Sequence, residues 1–178
     1  MSESLSSQQQ VVATTTSTIY AQKWRKPALS SALVQDLHFI QLILVVKYVQ
    51  SPICSRWEGE LYRFIHSYIQ AKGHCAICVN GTDDHVHILL SIAGQYDRAR
   101  FVQELKQTTA EFINANLVAE QPYFDWHKGY GYHNYHHSLV YEQITKIKNQ
   151  KELHLANDFK QEYHGMLKAN TMKHQLDA

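Results

Sequence analysis

The stretch Asp83-Asp84-His85-Val86-His87-Ile88-Leu89-Leu90 decides how this chain is read. Large apolar and β-branched residues interleave with the two histidines, which is the two-residue period of a strand. Successive strand side chains point to opposite faces, so His85 and His87 share one face while Val86, Ile88 and Leu90 share the other. The apolar set predicts packing against helices. Two imidazoles held that close on a rigid element suit two ligands of one metal ion. A histidine pair on a solvated sheet face is the alternative that spacing alone leaves open. A third histidine at position 89 would make the pattern a histidine-triad nucleotide hydrolase, but Leu89 stands there and that chemistry is excluded.

Working outward, Phe39 to Tyr48 is rich in β-branched and large apolar residues and predicts a buried strand, ended by Ser51-Pro52. Ser55 and Glu58 have capping-box spacing, and Trp57, Leu61, Phe64, Ile65, Tyr68 and Ile69 follow at helical period up to a stop at Gly73. Cys75 to Val79 predicts a second strand, Asn80-Gly81 a turn, and His85 to Ile92 the third strand. A helix is expected from Asp97 to about Asn116, with Phe101, Leu105, Phe112 and Ile113 on one face. Tyr123 to His137 predicts one or two short strands. Ser138 is a fair N-cap for a helix through Gln150 to about Leu155, and a last helix is expected over Asn157 to Lys168. The order β-α-β-β-α-β-α-α defines an α+β domain with a largely antiparallel sheet and packed helices.

The chain has 178 residues, of which 44% are hydrophobic and 19% charged, enough for one folded domain with a core. Residues 1–30 hold six Ser, four Thr and four Gln, so residues 1–34 are expected to be a flexible tail, 35–170 the domain and 171–178 a short C-terminal tail. Seventeen basic against sixteen acidic residues leave a net charge of +1, so any nucleic-acid site must be a local patch rather than a global field. The longest apolar stretch, Leu42 to Val46, is far too short for a membrane span. No basic or hydrophobic leader follows Met1-Ser2-Glu3, and Cys54, Cys75 and Cys78 form no disulfide framework. A cytoplasmic location is expected.

Five of the eleven tyrosines and four of the twelve histidines fall between Tyr123 and Tyr141. Exposed aromatic faces there could stack on unpaired bases. His133, Tyr135, His136 and His137 are expected to be exposed, with Trp126 and Tyr130 in the core. Cys75 and Cys78, three apart on a strand, should point to opposite faces and be buried, inert thiols. Lys128, Lys146, Lys148 and Lys151 could form a basic patch, although a charge run on a helix is usually a solvated face.

These residues carry a resemblance. Gly81 to Leu90 resembles the HUH motif (histidine, hydrophobic, histidine) of insertion-sequence transposases with a single catalytic tyrosine, the REP-associated tyrosine transposases included. Val46-Lys47-Tyr48 with Pro52 resembles the end of that family's first strand, and Phe124 to Gly131 its aromatic-Gly-Tyr-Gly segment. Ile147, Asn149, Gln150, His154, Phe159, Glu162, Tyr163 and Leu167 fall where its C-terminal helices carry similar residues, so the match spans roughly 36–168. The resemblance implies an HUH-endonuclease, ferredoxin/RRM-like fold, a single-stranded or hairpin DNA partner and a homodimer. It implies a divalent metal, Mg²⁺ or Mn²⁺, on His85, His87 and Gln150. It also implies DNA contacts, for which Lys128, His133, Tyr135, His136 and Lys148 are the candidates.

The nucleophile is where the chain departs. The family's tyrosine lies four residues before the glutamine, one helical turn away on the same face. Lys146 occupies that position, and an ammonium group does not replace a phenolate that forms an ester link. Tyr141 lies nine residues before Gln150 and is expected to point to the other side of the helix. Three functions follow as expectations: DNA transposition chemistry at the histidine pair, a non-catalytic hairpin-binding module, or a metal-dependent phosphodiesterase that uses water.

Overall fold

The computed structural model describes residues 37–117 and 123–156. The expected tails over 1–34 and 171–178 and the helix over 157–168 lie outside the described residues. Four strands form one sheet: β1 (Leu37–Val45), β2 (Cys75–Gly81), β3 (His85–Ala93) and β4 (Gly131–Tyr135). Its spatial order is β2-β3-β1-β4, with every neighbouring pair antiparallel. Helix α1 (Glu58–Ala71) joins β1 to β2, and α2 (Arg98–Asn116) lies between β3 and β4. A 3-10 turn (His137–Leu139) then leads to α3 (Val140–Lys148) and α4 (Gln150–Ala156). The first six elements follow the β-α-β-β-α-β order of a ferredoxin-like domain, as expected.

Alternation along the strands divides the sheet into two buried faces. Ile40, Leu42, Leu44, Val86, Ile88, Leu90 and Ile92 join Leu61, Ile65 and Ile69 of α1 and Phe101, Leu105 and Ile113 of α2 in the larger core. Phe64 and Phe112 stack between the two helices, with ring centroids 4.1 Å apart. On the opposite face Phe39, Ile77, Cys78 and Leu89 pack against Val140, Ile144 and Ile147 of α3. Both faces of β3 are therefore dry. The histidines sit on a buried face, not on a solvated one.

Several local expectations are corrected. β1 ends at Val45 rather than Tyr48, and Val46 makes only an isolated bridge to Trp126. The Tyr123–His137 segment supplies one strand, β4, beyond that bridge. Ser55 does not cap α1: Trp57 holds the N-cap position without a side-chain cap bond and is buried, edge-on to Phe124. Asp97 does cap α2, accepting from the Arg100 N–H at 3.0 Å. Gly73 ends α1 at φ 81°, the left-handed conformation that favours glycine. Cys75 is exposed rather than buried. A register shift between Ala76 and Cys78 places Cys75 opposite Ser91 and Cys78 opposite Leu89, so the bulge puts both on one face.

Asn80-Gly81 is not the turn. Both residues belong to β2, and Thr82, Asp83 and Asp84 make the connection, closed by the Thr82 N–H donating to the His85 carbonyl at 3.0 Å. Gly81 is needed for close approach rather than for a left-handed φ: a Cβ there would lie 2.1 Å from the His85 carbonyl oxygen. Gly81→Ala is expected to cost about 1–3 kcal/mol by forcing that backbone contact apart. Urea denaturation of the variant against the parent chain measures it.

Candidate functional site

His85 and His87 are both fully buried on the α3 side of the sheet, with ring centroids 4.9 Å apart and planes at 77°. The register explains what surrounds them. His87 pairs with Ile43 of β1 and Asn80 of β2, and the next pair on the same face is Leu89 with Gln41. Gln41 is thus a diagonal neighbour of His87, within reach of a long side chain.

Each imidazole is held at Nδ1. The Asp84 Oδ1 lies 2.6 Å from His85 Nδ1, and Thr82 Oγ1 lies 2.9 Å from the same nitrogen. The Thr82 hydroxyl also donates to Asp84 Oδ1 at 2.6 Å. The bond from His85, helped by the one from Thr82 and opposed by partial burial, holds the Asp84 carboxyl down at about 2. An ionised carboxylate only accepts, so Nδ1 of His85 carries the proton and Nε2 carries the lone pair when the ring is neutral. On the second ring, the Gln41 amide nitrogen lies 2.6 Å from His87 Nδ1 and the Gln150 amide nitrogen 2.9 Å from His87 Nε2.

Gln150 reaches His87 from the start of the last described helix. The expected single helix from Ser138 to Leu155 is a 3-10 turn, α3 and α4, with Asn149 between the last two. His136, not Ser138, takes the first N-cap position, its Nδ1 accepting from the Ser138 N–H. The buried side of α3 carries Val140, Gln143, Ile144 and Ile147, and Gln150 continues it seven residues after Gln143. Gln150 is 1% exposed, and Lys151 stays at the surface, ion-paired with Glu58 at the start of α1. Asn80 fixes the break. Its amide nitrogen donates to the Ile147 carbonyl at 2.8 Å and the Lys148 carbonyl at 3.0 Å, satisfying the last acceptors of α3.

The donor set fits a divalent cation. His85, His87 and Gln150 come from two separate elements and meet on one buried face, and the two imidazoles are oriented from their Nδ1 sides by Asp84 and Gln41. Metal-ligating histidines are commonly held in this way. Rotation of the Gln150 amide would present its oxygen in place of its nitrogen. Among the described residues no group of three or more His, Cys, Asp or Glu gathers.

The remaining sequence-derived candidates are scattered. Lys146 is exposed on α3 and pairs with Glu142 at 2.7 Å. It does not share the buried side with Gln143 and Gln150. Lys128, His136 and Lys148 are exposed, and Tyr135 is half-buried against the smaller core. His133 is 9% exposed rather than open to solvent, since its partner Gln41 places it on the α3 face. Trp126 is buried and Tyr130 packs on the larger core, as expected. Gln41 and Asn80 are the two site residues that sequence reasoning missed. Gln41 interrupts an apolar strand, which is a readable signal, whereas the Asn-Gly pair masks Asn80 as a turn residue.

The family model described as transposase, IS200-like, matches residues 34–150. The chain belongs to this family. Two solved structures share the fold of this IS200-like chain. A protein from Deinococcus radiodurans R1 assigned as a transposase is 20% identical, with a TM-score of 0.51 over 72% of this chain and 97% of that one. A REP-associated tyrosine transposase bound to a REP hairpin is 13% identical, with a TM-score of 0.50 over 74% of this chain and 73% of that one. No curated protein matches the chain. No described helix is long and apolar enough to cross a membrane.

Two substitutions separate the clustered residues from the scattered ones. Asn80→Ala is expected to cost about 1–3 kcal/mol by leaving buried carbonyls without their donor, and to speed hydrogen exchange in α4 more than in α1. Lys146→Ala, which removes an exposed pair four residues apart on a helix, is expected to stay within about 0.5 kcal/mol. Denaturation and exchange on the same preparations check both.

Proposed function

We propose that this IS200-like family member binds single-stranded hairpin DNA and brings a backbone phosphate to His85, His87 and Gln150. In this reading the three residues hold a divalent metal, Mn²⁺ or Mg²⁺. The observation that carries the proposal is the convergence of two Nδ1-anchored imidazoles and one amide on a single buried face. Imidazole nitrogen with amide oxygen suits Mn²⁺ better than Mg²⁺. When bound, the metal supplies Lewis-acid stabilisation of the charge that develops on a phosphoryl oxygen.

The chain's own residues set the limits of that chemistry. Both histidines are fully buried, so a phosphate reaches them only when a neighbouring segment shifts. The segment in contact is α4, tied down through Gln150 to His87 and Lys151 to Glu58. Lys128, Lys148 and His136 are exposed and available to phosphates, and Tyr135 offers part of a ring to a base. His133 would have to turn out of the α3 face to do so. Phosphate contacts make binding fall with added salt, with a slope of about −0.7 per contact on a single strand.

Strand cleavage and joining with a phosphotyrosine link requires a phenol that Lys146 does not provide. Hairpin binding without covalent chemistry is therefore the expected behaviour of this chain, as a monomer or as the homodimer that the family resemblance suggests. Incubation with single-stranded hairpin DNA and Mn²⁺ or Mg²⁺, followed by intact mass spectrometry, tests this. Salt-sensitive binding without a DNA-linked protein is expected. A covalent adduct mapped to a residue would overturn the argument about Lys146. Cut DNA with no adduct would identify water as the nucleophile, and absence of binding would end the DNA reading altogether. In the same assay Lys146→Tyr should restore adduct formation if only the phenol is missing. A folded variant that binds hairpin and metal and still forms no adduct would show that more than the nucleophile is lost.

A further inference from the structure

Gln41 is a buried amide, 2% exposed, set between Ile40 and Leu42 in the most apolar strand of the sheet. Burying an amide costs free energy unless its hydrogen-bonding groups are used. As placed, its nitrogen lies 2.6 Å from His87 Nδ1 while its Oε1 has no hydrogen-bond partner. The same imidazole has the Gln150 amide nitrogen 2.9 Å from Nε2. A neutral imidazole has one N–H and one lone pair, so it cannot accept from an amide at both nitrogens. One of the two glutamines must present its oxygen.

We infer that Gln41 is a positioning residue that fixes the tautomer of His87. With its amide turned by half a rotation, Oε1 accepts the Nδ1–H proton, and both the buried oxygen and the ring nitrogen are satisfied. Nε2 then carries the lone pair and accepts from the Gln150 amide. The opposite tautomer would need Gln150 to accept at Nε2 and would leave the buried Gln41 oxygen with nothing to receive. The arrangement matches the other histidine, where Asp84 accepts the hydrogen bond from Nδ1–H. It also explains the difference in residue type. The Asp84 side chain is 56% exposed and remains solvated as a carboxylate, whereas position 41 is dry and takes a neutral acceptor.

This inference deepens the metal-site reading of the preceding section, and its test separates the two. Nitrogen-15 spectra of the imidazole rings in the metal-free full chain report the tautomer directly, with His87 assigned through His87→Gln. The expected state is protonated Nδ1 with unprotonated Nε2. Gln41→Glu keeps an acceptor oxygen in either protonation state and should preserve this state. Gln41→Leu removes the acceptor and should mix or reverse it, and should weaken Mn²⁺ binding by about 10–100-fold. An Nε2–H tautomer in the unaltered chain would overturn the inference whether or not the Leu variant folds. So would a folded Gln41→Leu with an unchanged tautomer. If the tautomer responds as expected but the unaltered chain binds no Mn²⁺, Gln41 keeps its role and the metal reading fails.

Discussion

Two imidazoles with no solvent exposure impose a matching requirement on everything packed around them, because each ring nitrogen taken from water must find a partner inside the protein. The register of β3 against its neighbours supplies partners for both Nδ1 atoms and for Nε2 of His87. It sets Asn80 beside His87 on one side and Ile43 on the other, with Gln41 one step along the same face. The Thr82–Asp84 connection then folds back tightly enough for Asp84 and Thr82 to reach His85. A slip of one residue in β3 would exchange the histidines with Val86 and Ile88, placing imidazoles in the larger core and apolar chains under α3. The apolar identity of one face and the polar identity of the other are thus one constraint, and Gly81 allows the hairpin to satisfy it.

That constraint also accounts for the C-terminal helices. Beyond the interruption at Asn149, Gln150 is buried beside His87 and Lys151 pairs with Glu58. Asn80 makes the break affordable by donating to the two carbonyls that the interruption leaves open. A polar side chain of an edge strand, a helix end and the buried Gln150 amide are therefore energetically linked, although they lie far apart in sequence.

What the sequence conveys follows the same division. Alternation in Val86, Ile88 and Leu90 was enough to place the strand and the shared face of the two histidines, and helical periodicity located α1 and α2. Burial of the pair was not legible, because it depends on α3 folding back over a face whose own residues include histidine, glutamine and asparagine. The Asn80-Gly81 pair is a strong hairpin signal, yet here tertiary contact uses Asn80 as a helix cap and shifts the turn to Thr82–Asp84. The break at Asn149 was hidden for a related reason. It is secured by the amide of Asn80, a contact across 67 and 68 residues of sequence that local propensity does not show.

Lys146 lies outside this linked set. Lys146 projects from the exposed side of α3 and meets Glu142 across one helical turn, so its side chain contributes little to packing. The histidine cluster is held by Gln41, Asp84 and Gln150, with Asn80 securing the end of α3 beside it. The fold and the buried histidine cluster therefore do not depend on the side chain at position 146, which can be exchanged there at little cost in stability.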